Sequence, residues 1–271
     1  MKCVYINLDT RPDRRARLEA NWLRYRGDDW QLQRFPAVDT NYVEEHQIPG
    51  ALRAAEKACF LSHCSVLAQN LAATTPLCIM EDDTILGPRS AATIDNFLRA
   101  SVDQDWDIIF CEVGVTQPDT MIGLIKLRQE LEGTNQVRLL DPAAFTFAGA
   151  TAYIVNPRSL KKLGQLLGAS DELNLPYDLL LRKFIYEKQL KSLVFFPYVS
   201  TLSADAGASQ IREEGAADRI WTAFRQLAWQ DRDLDGLRPV IEKIGAELCD
   251  DESRLLGLLL GGLVAKSFVS K

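Results

Sequence analysis

Leu77-Cys78-Ile79-Met80-Glu81-Asp82-Asp83 is a run of four apolar residues followed directly by three acids. A short apolar run of this kind predicts a buried β-strand, and the acids predict that the strand stops at Glu81. Glu81 and Asp83 are separated by one residue, so in an extended turn their carboxylates point the same way and can share one hard cation. Acidic clusters at strand ends are also often solvated turns or helix caps, and the triplet alone does not separate these interpretations.

Apolar segments and helical patterns alternate along the first 200 residues. Further strands are predicted at 3–8, 31–38, 106–111, 145–155 and 192–199, and helices at 12–27, 56–72, 90–100, after Pro157 and at 176–190. This alternation indicates an α/β fold with a mixed, largely parallel sheet flanked by helices. Ligands bind such sheets beyond the carboxyl ends of the strands. Asn7, the acids 81–83 and Glu112 all fall at the carboxyl ends of predicted strands, so we expect them to form one site.

The character of the sequence changes near residue 200. We predict an α/β domain over residues 1–200 and a helical C-terminal extension over residues 201–271, with a small, polar loop at 203–215. The last helix contains Leu255-Leu256-Gly257-Leu258-Leu259-Leu260 and is apolar around most of its circumference. We predict that it packs on the main domain. A peripheral membrane contact or dimerisation is the alternative, because the apolar stretch is too short to span a bilayer.

The composition bears on partners and location. A formal net charge of −6 over 271 residues argues against a general nucleic-acid-binding protein, which needs a basic surface. The six cysteines form no Cys-x-x-Cys pair, which predicts reduced thiols in a reducing compartment. The N-terminus has no signal-peptide pattern. We therefore expect a cytoplasmic protein, placed at the cytoplasmic face of the membrane if the last helix makes a membrane contact.

Several short blocks of sequence occur in a characteristic order. They are Tyr5-Ile6-Asn7-Leu8-Asp9-Thr10-Arg11-Pro12-Asp13-Arg14-Arg15, Arg34-Phe35-Pro36-Ala37-Val38-Asp39, Cys59-Phe60-Leu61-Ser62-His63, Met80-Glu81-Asp82-Asp83, Gly149-Ala150-Thr151-Ala152-Tyr153 and Pro176-Tyr177-Asp178. The order resembles glycosyltransferase family 25, which includes bacterial lipopolysaccharide β-galactosyltransferases and the collagen galactosyltransferases. The resemblance spans residues 3 to about 200. In one departure, the family's glycine-rich run before the third block is replaced by Ala55-Glu56-Lys57-Ala58.

The resemblance implies a GT-A-like fold and an inverting transfer of galactose or glucose from a UDP-hexose to a glycan or glycolipid acceptor. It also implies a role in lipopolysaccharide or cell-surface glycan synthesis, and a divalent cofactor, Mn²⁺ or Mg²⁺. Asp83 would be the principal metal ligand, assisted by Glu81. Two other functions stay open: a nucleotidyltransferase, although residues 8–13 lack the glycine-rich loop it needs, and a non-catalytic nucleotide-sugar-binding protein.

The matched positions also imply the residues that bind the donor. Asn7 and Leu8 would lie against the nucleotide, and Arg11 or Arg14 would reach the diphosphate, since Arg favours planar phosphate contacts. A solvated helix face is the alternative role for both arginines. His63 would line the donor pocket, although a lone His in an apolar-faced helix is more often structural. The expected donor-binding set is Asn7, Leu8, Arg11, Arg14, Ser62, His63, Asp82 and Thr151.

An inverting transfer needs one general base, which takes the proton of the acceptor hydroxyl. Asp178 is our candidate, because it follows Pro176 at a predicted helix start and matches the family's late Asp. Capping that helix is its alternative role, and Glu112 is the reserve candidate for the base. Asp205 is a candidate third metal ligand, and acceptor choice is expected to lie in loops such as 116–136.

Overall fold

The computed structural model describes residues 1–102, 104–169, 172–203, 216–248 and 250–264. Their strands are β1 (Lys2–Asn7), β2 (Gln31–Pro36), β3 (Leu77–Glu81), β4 (Thr84–Leu86), β5 (Ile108–Phe110), β6 (Gly114–Val115), β7 (Arg138–Leu140), β8 (Phe147–Ala148), β9 (Ala152–Val155), β10 (Ser192–Phe196) and β11 (Ser200–Leu202). Their helices are α1 (Pro12–Tyr25), α2 (Thr40–Glu45), α3 (Ala54–Gln69), α4 (Ser90–Ala100), α5 (Pro118–Glu130), α6 (Leu160–Leu167), α7 (Tyr177–Tyr186), α8 (Ala216–Ala228), α9 (Leu234–Leu248) and α10 (Asp251–Val264).

The central sheet has seven strands in the order β2-β1-β3-β9-β5-β10-β7. β1 is parallel to β2 and to β3, and β5 is parallel to β10. β9 lies antiparallel between β3 and β5, and β7 is antiparallel to β10. Five strands therefore run in one direction and two in the other. The expected mixed, largely parallel α/β sheet is confirmed.

Side chains alternate between the two faces of each strand, and helices cover both faces. In β1, Val4 and Ile6 join a core that includes residues of α3, α6 and α7, while Cys3 and Tyr5 join a core formed with α1 and α4. β3 is buried on both faces, because Leu77 and Ile79 belong to the first core and Cys78 and Met80 to the second. This two-sided burial explains why its sequence is an uninterrupted apolar run.

Two expectations from the sequence are corrected by the fold. The segment 116–136 was expected to be a loop, but most of it is α5, with Pro118 in its first turn and Met121 and Leu124 buried at helical spacing. The segment 145–155 was expected to be one strand. It is divided into β8 and β9, and Gly149 between them has φ +88°, a conformation that glycine adopts without strain.

The C-terminal part contains the expected helices, but they relate to the main body in different ways. Phe224 and Ala228 of α8 are buried in the main core. By contrast, Leu255, Leu256, Leu258 and Leu259 of α10 are between 56% and 75% exposed, although α10 approaches the main domain at α5. Among the described residues no helix has both the length and the hydropathy needed to cross a membrane. Asp205 and most of the segment 203–215 lie outside the described residues.

Candidate active site

A cleft of about 330 Å³ opens where β1 and β3 end. Its walls come from the end of β1, the start of α1, the segment after β2, one face of α3 and the acids after β3. The predicted residues that it brings together are Asn7, Leu8, Arg11, Arg14, Ser62, His63, Glu81, Asp82 and Asp83. The expectation that strand-end polar groups converge is therefore confirmed for β1 and β3. Thr151, Glu112 and Asp178 are not among the residues that line this cleft.

Asp82 ties the elements of the cleft together. Its Oδ2 accepts a hydrogen bond from Asn7 Nδ2 at 2.8 Å, and its Oδ1 lies 3.1 Å from Arg14 Nη1 in a largely buried ion pair. Asn7 is in turn held by Arg34, which donates to its Oδ1 at 3.1 Å and to its backbone oxygen at 3.0 Å. Both carboxylate oxygens of Asp82 are thus bound by other side chains of the protein, and these contacts link β1, α1 and the end of β3.

Asp83 is in a different situation from Asp82. Its Oδ1 is buried, and no hydrogen bond from the described residues reaches it. Burial, together with the charges of Glu81 and Asp82, raises the pKa of Asp83 to about 7. A buried carboxylate oxygen that lacks a donor is rare in proteins and calls for a partner such as an ion.

Glu81 supplies the second carboxylate of the predicted pair. Its side chain is 33% exposed. Burial would raise its pKa, but His63, Arg225 and Arg14 outweigh that effect and hold the pKa below its usual value. The ionised carboxylate of Glu81 and the buried Oδ1 of Asp83 offer the oxygen ligands that Mg²⁺ or Mn²⁺ prefers. Glu81 and Asp83 therefore fit a divalent metal.

His63 is both buried and oriented. Its Nδ1 lies 3.0 Å from the hydroxyl of Tyr153, and its ring stacks on Tyr177 with centroids 4.3 Å apart and an interplanar angle of 10°. Its Nε2 faces the cleft, 3.4 Å from Glu81 Oε1. The two tyrosine hydroxyls are 2.7 Å apart. His63 therefore has the hydrogen-bonding and stacking partners of a structural residue, and its Nε2 still faces the cleft.

Ser62 and Thr151 hold the backbone around the site. The Ser62 hydroxyl donates to the backbone oxygen of Ala58 at 2.8 Å and accepts from the backbone nitrogen of Val38 at 2.9 Å, which joins α3 to the segment after β2. The Thr151 backbone oxygen accepts from the backbone nitrogen of Glu81 at 2.7 Å. Thr151 thus supports the backbone of the acids without lining the cleft.

The two candidate bases occupy contrasting positions. Glu112 is fully buried, with its Oε2 3.0 Å from Arg225 Nε. Asp178 is partly exposed, and its Oδ2 accepts a hydrogen bond from the backbone nitrogen of Gly149 at 2.6 Å. Asp178 does not cap α7, because Pro176 is the N-cap residue and Asp178 already lies within the first turn. The capping role considered for Asp178 is therefore wrong.

Sequence reasoning missed several residues around the site. Arg34, which orients Asn7, and the tyrosines 153 and 177 lie in the family-like sequence blocks. No local pattern in the sequence indicates which residues they contact. Arg225 had no signal, since it is far along the chain in α8. It contacts Glu112 and lies 3.5 Å from the backbone oxygen of Ala148.

Comparisons with known proteins place the chain in a family. No curated protein matches the sequence. Among solved structures, the crystal structure of a galactosyltransferase, LgtC, in complex with donor and acceptor sugar analogues is similar to this chain. The sequence identity is 10%, the match covers 94% of this chain and 99% of that chain, and the TM-score is 0.38. Residues 1–181, well over half of the chain, match the sequence profile of glycosyltransferase family 25, described as a lipopolysaccharide biosynthesis protein. The chain therefore belongs to glycosyltransferase family 25.

Proposed function

We propose that this glycosyltransferase transfers galactose or glucose from a UDP-sugar to a glycan or glycolipid acceptor in lipopolysaccharide or cell-surface glycan synthesis. The transfer inverts the anomeric carbon and depends on Mn²⁺ or Mg²⁺. The observation that carries the proposal is the buried Oδ1 of Asp83, which no described residue hydrogen-bonds, beside the ionised Glu81 at the cleft.

Glu81 and Asp83 would hold the metal, and Asp82 would not, because both of its oxygens are already engaged. When bound, the metal neutralises the negative charge that grows on the diphosphate as the bond to the sugar breaks. The protein's own contribution is to keep two carboxylates close together in a partly buried site. Burial and, after it, the charges of Glu81 and Asp82 raise the pKa of Asp83, and a bound dication would offset both effects.

The arginines that line the cleft support binding of the diphosphate end of the donor. Arg11 forms an exposed ion pair with Asp13, with Nη2 and Oδ2 2.8 Å apart, and such exposed pairs are worth little energy. Arg14 is held by Asp82 in a more buried pair. We therefore assign the phosphate contact to Arg11, which can exchange Asp13 for a phosphate oxygen, and the orienting role to Arg14.

Asp178 is the base that we propose for the acceptor hydroxyl. Its hydrogen bond from Gly149 fixes one carboxylate oxygen, and its partial exposure leaves room for an acceptor. Its neighbour in α7, Tyr177, stacks on the cleft residue His63, which supports a place for Asp178 near the cleft. As the hydroxyl attacks the anomeric carbon, Asp178 takes its proton and the nucleoside diphosphate leaves.

A donor screen tests this function. The protein is incubated with a panel of nucleotide sugars and Mn²⁺, and release of the nucleoside diphosphate is measured, with and without excess chelator. We expect UDP-galactose or UDP-glucose to be consumed, the reaction to stop in chelator, and added Mn²⁺ to restore it. Full turnover in excess chelator would overturn the metal assignment.

A binding measurement separates an enzyme from a nucleotide-sugar-binding protein. UDP and Mn²⁺ together should raise the melting temperature, because a ligand that binds the folded state stabilises it. A shift in melting temperature without turnover of any donor in the panel would favour the non-catalytic alternative.

A further inference from the structure

The cleft wall carries a group of side chains that the proposed transfer does not fully use. The Sγ of Cys59, a ring nitrogen of His63 and a carboxylate oxygen of Glu81 all lie within 4.8 Å of one another. Cys59 lines the cleft but has no role in the proposed transfer. A thiol, an imidazole and a carboxylate are the three protein ligand types of zinc sites.

The fold brings these ligands together from two elements. Cys59 and His63 are four residues apart on α3, so their side chains lie on the same face of that helix. Glu81 ends β3 and faces them, with its Oε1 3.4 Å from His63 Nε2. Because all three residues line the cleft, a bound ion would keep a side open to solvent or to a ligand there.

The imidazole is already oriented for coordination. His63 Nδ1 lies 3.0 Å from the Tyr153 hydroxyl, and in the tautomer with its proton on Nδ1 the Nε2 atom that faces Glu81 can coordinate an ion. Stacking on Tyr177 fixes the plane of the ring. Imidazoles that bind metals in proteins are typically held in this way, through a hydrogen bond from the second ring nitrogen.

The electrostatic surroundings favour a cation. Cys59 shares the cleft with the carboxylates of Glu81 and Asp83, and their negative charge attracts a divalent ion. On binding, the thiol proton leaves to solvent and the thiolate becomes a ligand, as in other Cys-containing sites.

We propose that Cys59, His63 and Glu81 form a second cation subsite, selective for Zn²⁺ or Co²⁺ over Mn²⁺ because of its sulfur and nitrogen ligands. It shares Glu81 with the proposed Mn²⁺ pair, so Zn²⁺ in this subsite prevents Mn²⁺ from using both carboxylates and inhibits the transfer. This inhibition rests on the proposed function, whereas the binding of Zn²⁺ or Co²⁺ does not.

Spectroscopy with Co²⁺ tests the subsite without any enzyme assay. We expect Co²⁺ added to the reduced full-length protein to give a thiolate-to-cobalt charge-transfer band in the near ultraviolet, and Zn²⁺ to abolish it. Cys59→Ser should lose the band. Cys64→Ser is the matched control, since Cys64 lies on the same helix but outside the group, and it should keep the band.

His63→Gln adds a second arm to the experiment. It should weaken Co²⁺ binding at least ~10-fold, a conservative figure for losing a ligand when outer-shell partners alone are worth 10–100-fold. Circular dichroism and melting temperature show whether each variant is folded. A wild-type protein without the charge-transfer band, or a folded Cys59→Ser variant that keeps it, would overturn the proposal.

The inhibition is measured as the Zn²⁺ dependence of transfer at fixed Mn²⁺, relative to each variant's own zinc-free rate. We expect wild type and Cys64→Ser to be inhibited and Cys59→Ser to resist. A cobalt band in a protein with no transferase activity would overturn the proposed function and leave the subsite standing. Mn²⁺-dependent transfer without a cobalt band would overturn the subsite and leave the function standing.

Discussion

Asp83, after β3, and Glu112, after β5, lie at the same edge of the sheet, but only Glu112 has an arginine at ion-pair distance among the described residues. Glu112, after β5, is fully buried beside Arg225, and burial raises its pKa although Arg225 and Thr151 lower it. Asp83, after β3, shares with Glu112 a raised pKa and buried carboxylate oxygen without a hydrogen bond from the described residues, but none of those residues forms an ion pair with it. Arg225 contacts Glu112 directly, whereas Arg225 and Arg14 act on Asp83 only through the longer-range effect of their charge. An arginine at contact distance, more than position in the sheet, separates a structural acid from a candidate site acid.

The largest effect on the rate of transfer is expected when Asp83 is replaced by a neutral residue. Asp83→Asn should lower kcat/KM at least ~10²-fold, because charge neutralisation at a leaving group is worth several kcal/mol. Its free energy of unfolding should not fall, since no described residue hydrogen-bonds the buried Oδ1. Transfer kinetics with Mn²⁺ and chemical denaturation measure the two quantities. A near-normal rate would show that Asp83, like Glu112, has a structural role and does not take part in the transfer.

Asp82→Asn is the matched control, since it lies next in sequence and has the opposite surroundings. It should lose stability through the Arg14 ion pair, which is largely buried. The same pattern of stability and rate in Asp82→Asn and Asp83→Asn would contradict the proposed difference between the two residues. In that proposal Asn7 and Arg14 engage the Asp82 carboxylate, whereas Oδ1 of Asp83 receives no hydrogen bond from the described residues.

The next effect concerns the base. Asp178→Asn should slow transfer at least ~10²-fold while UDP and Mn²⁺ bind with unchanged affinity, which is the usual contribution of a positioned base. Asn can still accept the hydrogen bond from the Gly149 backbone nitrogen, so the loop keeps its anchor. Steady-state kinetics and calorimetry measure the two properties. Should Asp178→Asn be active and a folded Glu112→Gln variant inactive, the base is Glu112.

Replacement of Glu112 is expected to have the smallest effect on catalysis and the clearest effect on stability. Glu112→Gln leaves the Arg225 guanidinium, which is mostly buried, without its counter-charge, and breaking such a pair costs about 3 kcal/mol. Chemical denaturation measures the loss, and a second substitution, Arg225→Gln, should recover part of it.

Glu81→Gln is the control for Glu112→Gln, because Glu81 is the partly exposed acid of the pair after β3. It should reduce activity with little change in the free energy of unfolding. Equal stability losses in Glu81→Gln and Glu112→Gln would contradict the contrast between the two strand ends.

The sheet and one wall of the site were predictable because their signals are local. The apolar run of β3 and the polar residues directly after β1 and β3 are read within a few positions, and the parallel arrangement then brings them together. β4 and β11 were not predicted, since strands of three residues carry too little periodicity. They pair with each other antiparallel beyond the end of β3.

The remaining parts of the site depend on contacts between distant segments. The tyrosines that orient His63 come from β9 and α7, and their hydrogen bond exists only after those elements pack. The surroundings of Glu112 depend on Arg225 in α8. No periodicity or spacing encodes such pairings, so strand-end position alone could not distinguish Glu112 from Asp83.

The packing of α8 on the main core also bears on which fragments of the chain are expected to fold. The family match ends at residue 181, but Phe224 and Ala228 complete the core and Arg225 neutralises Glu112. A fragment that ended with the matched residues, or at residue 200, would expose an apolar surface and bury a charge with no partner. We therefore expect a stable fragment to extend at least through α8, with expression boundaries after residue 228.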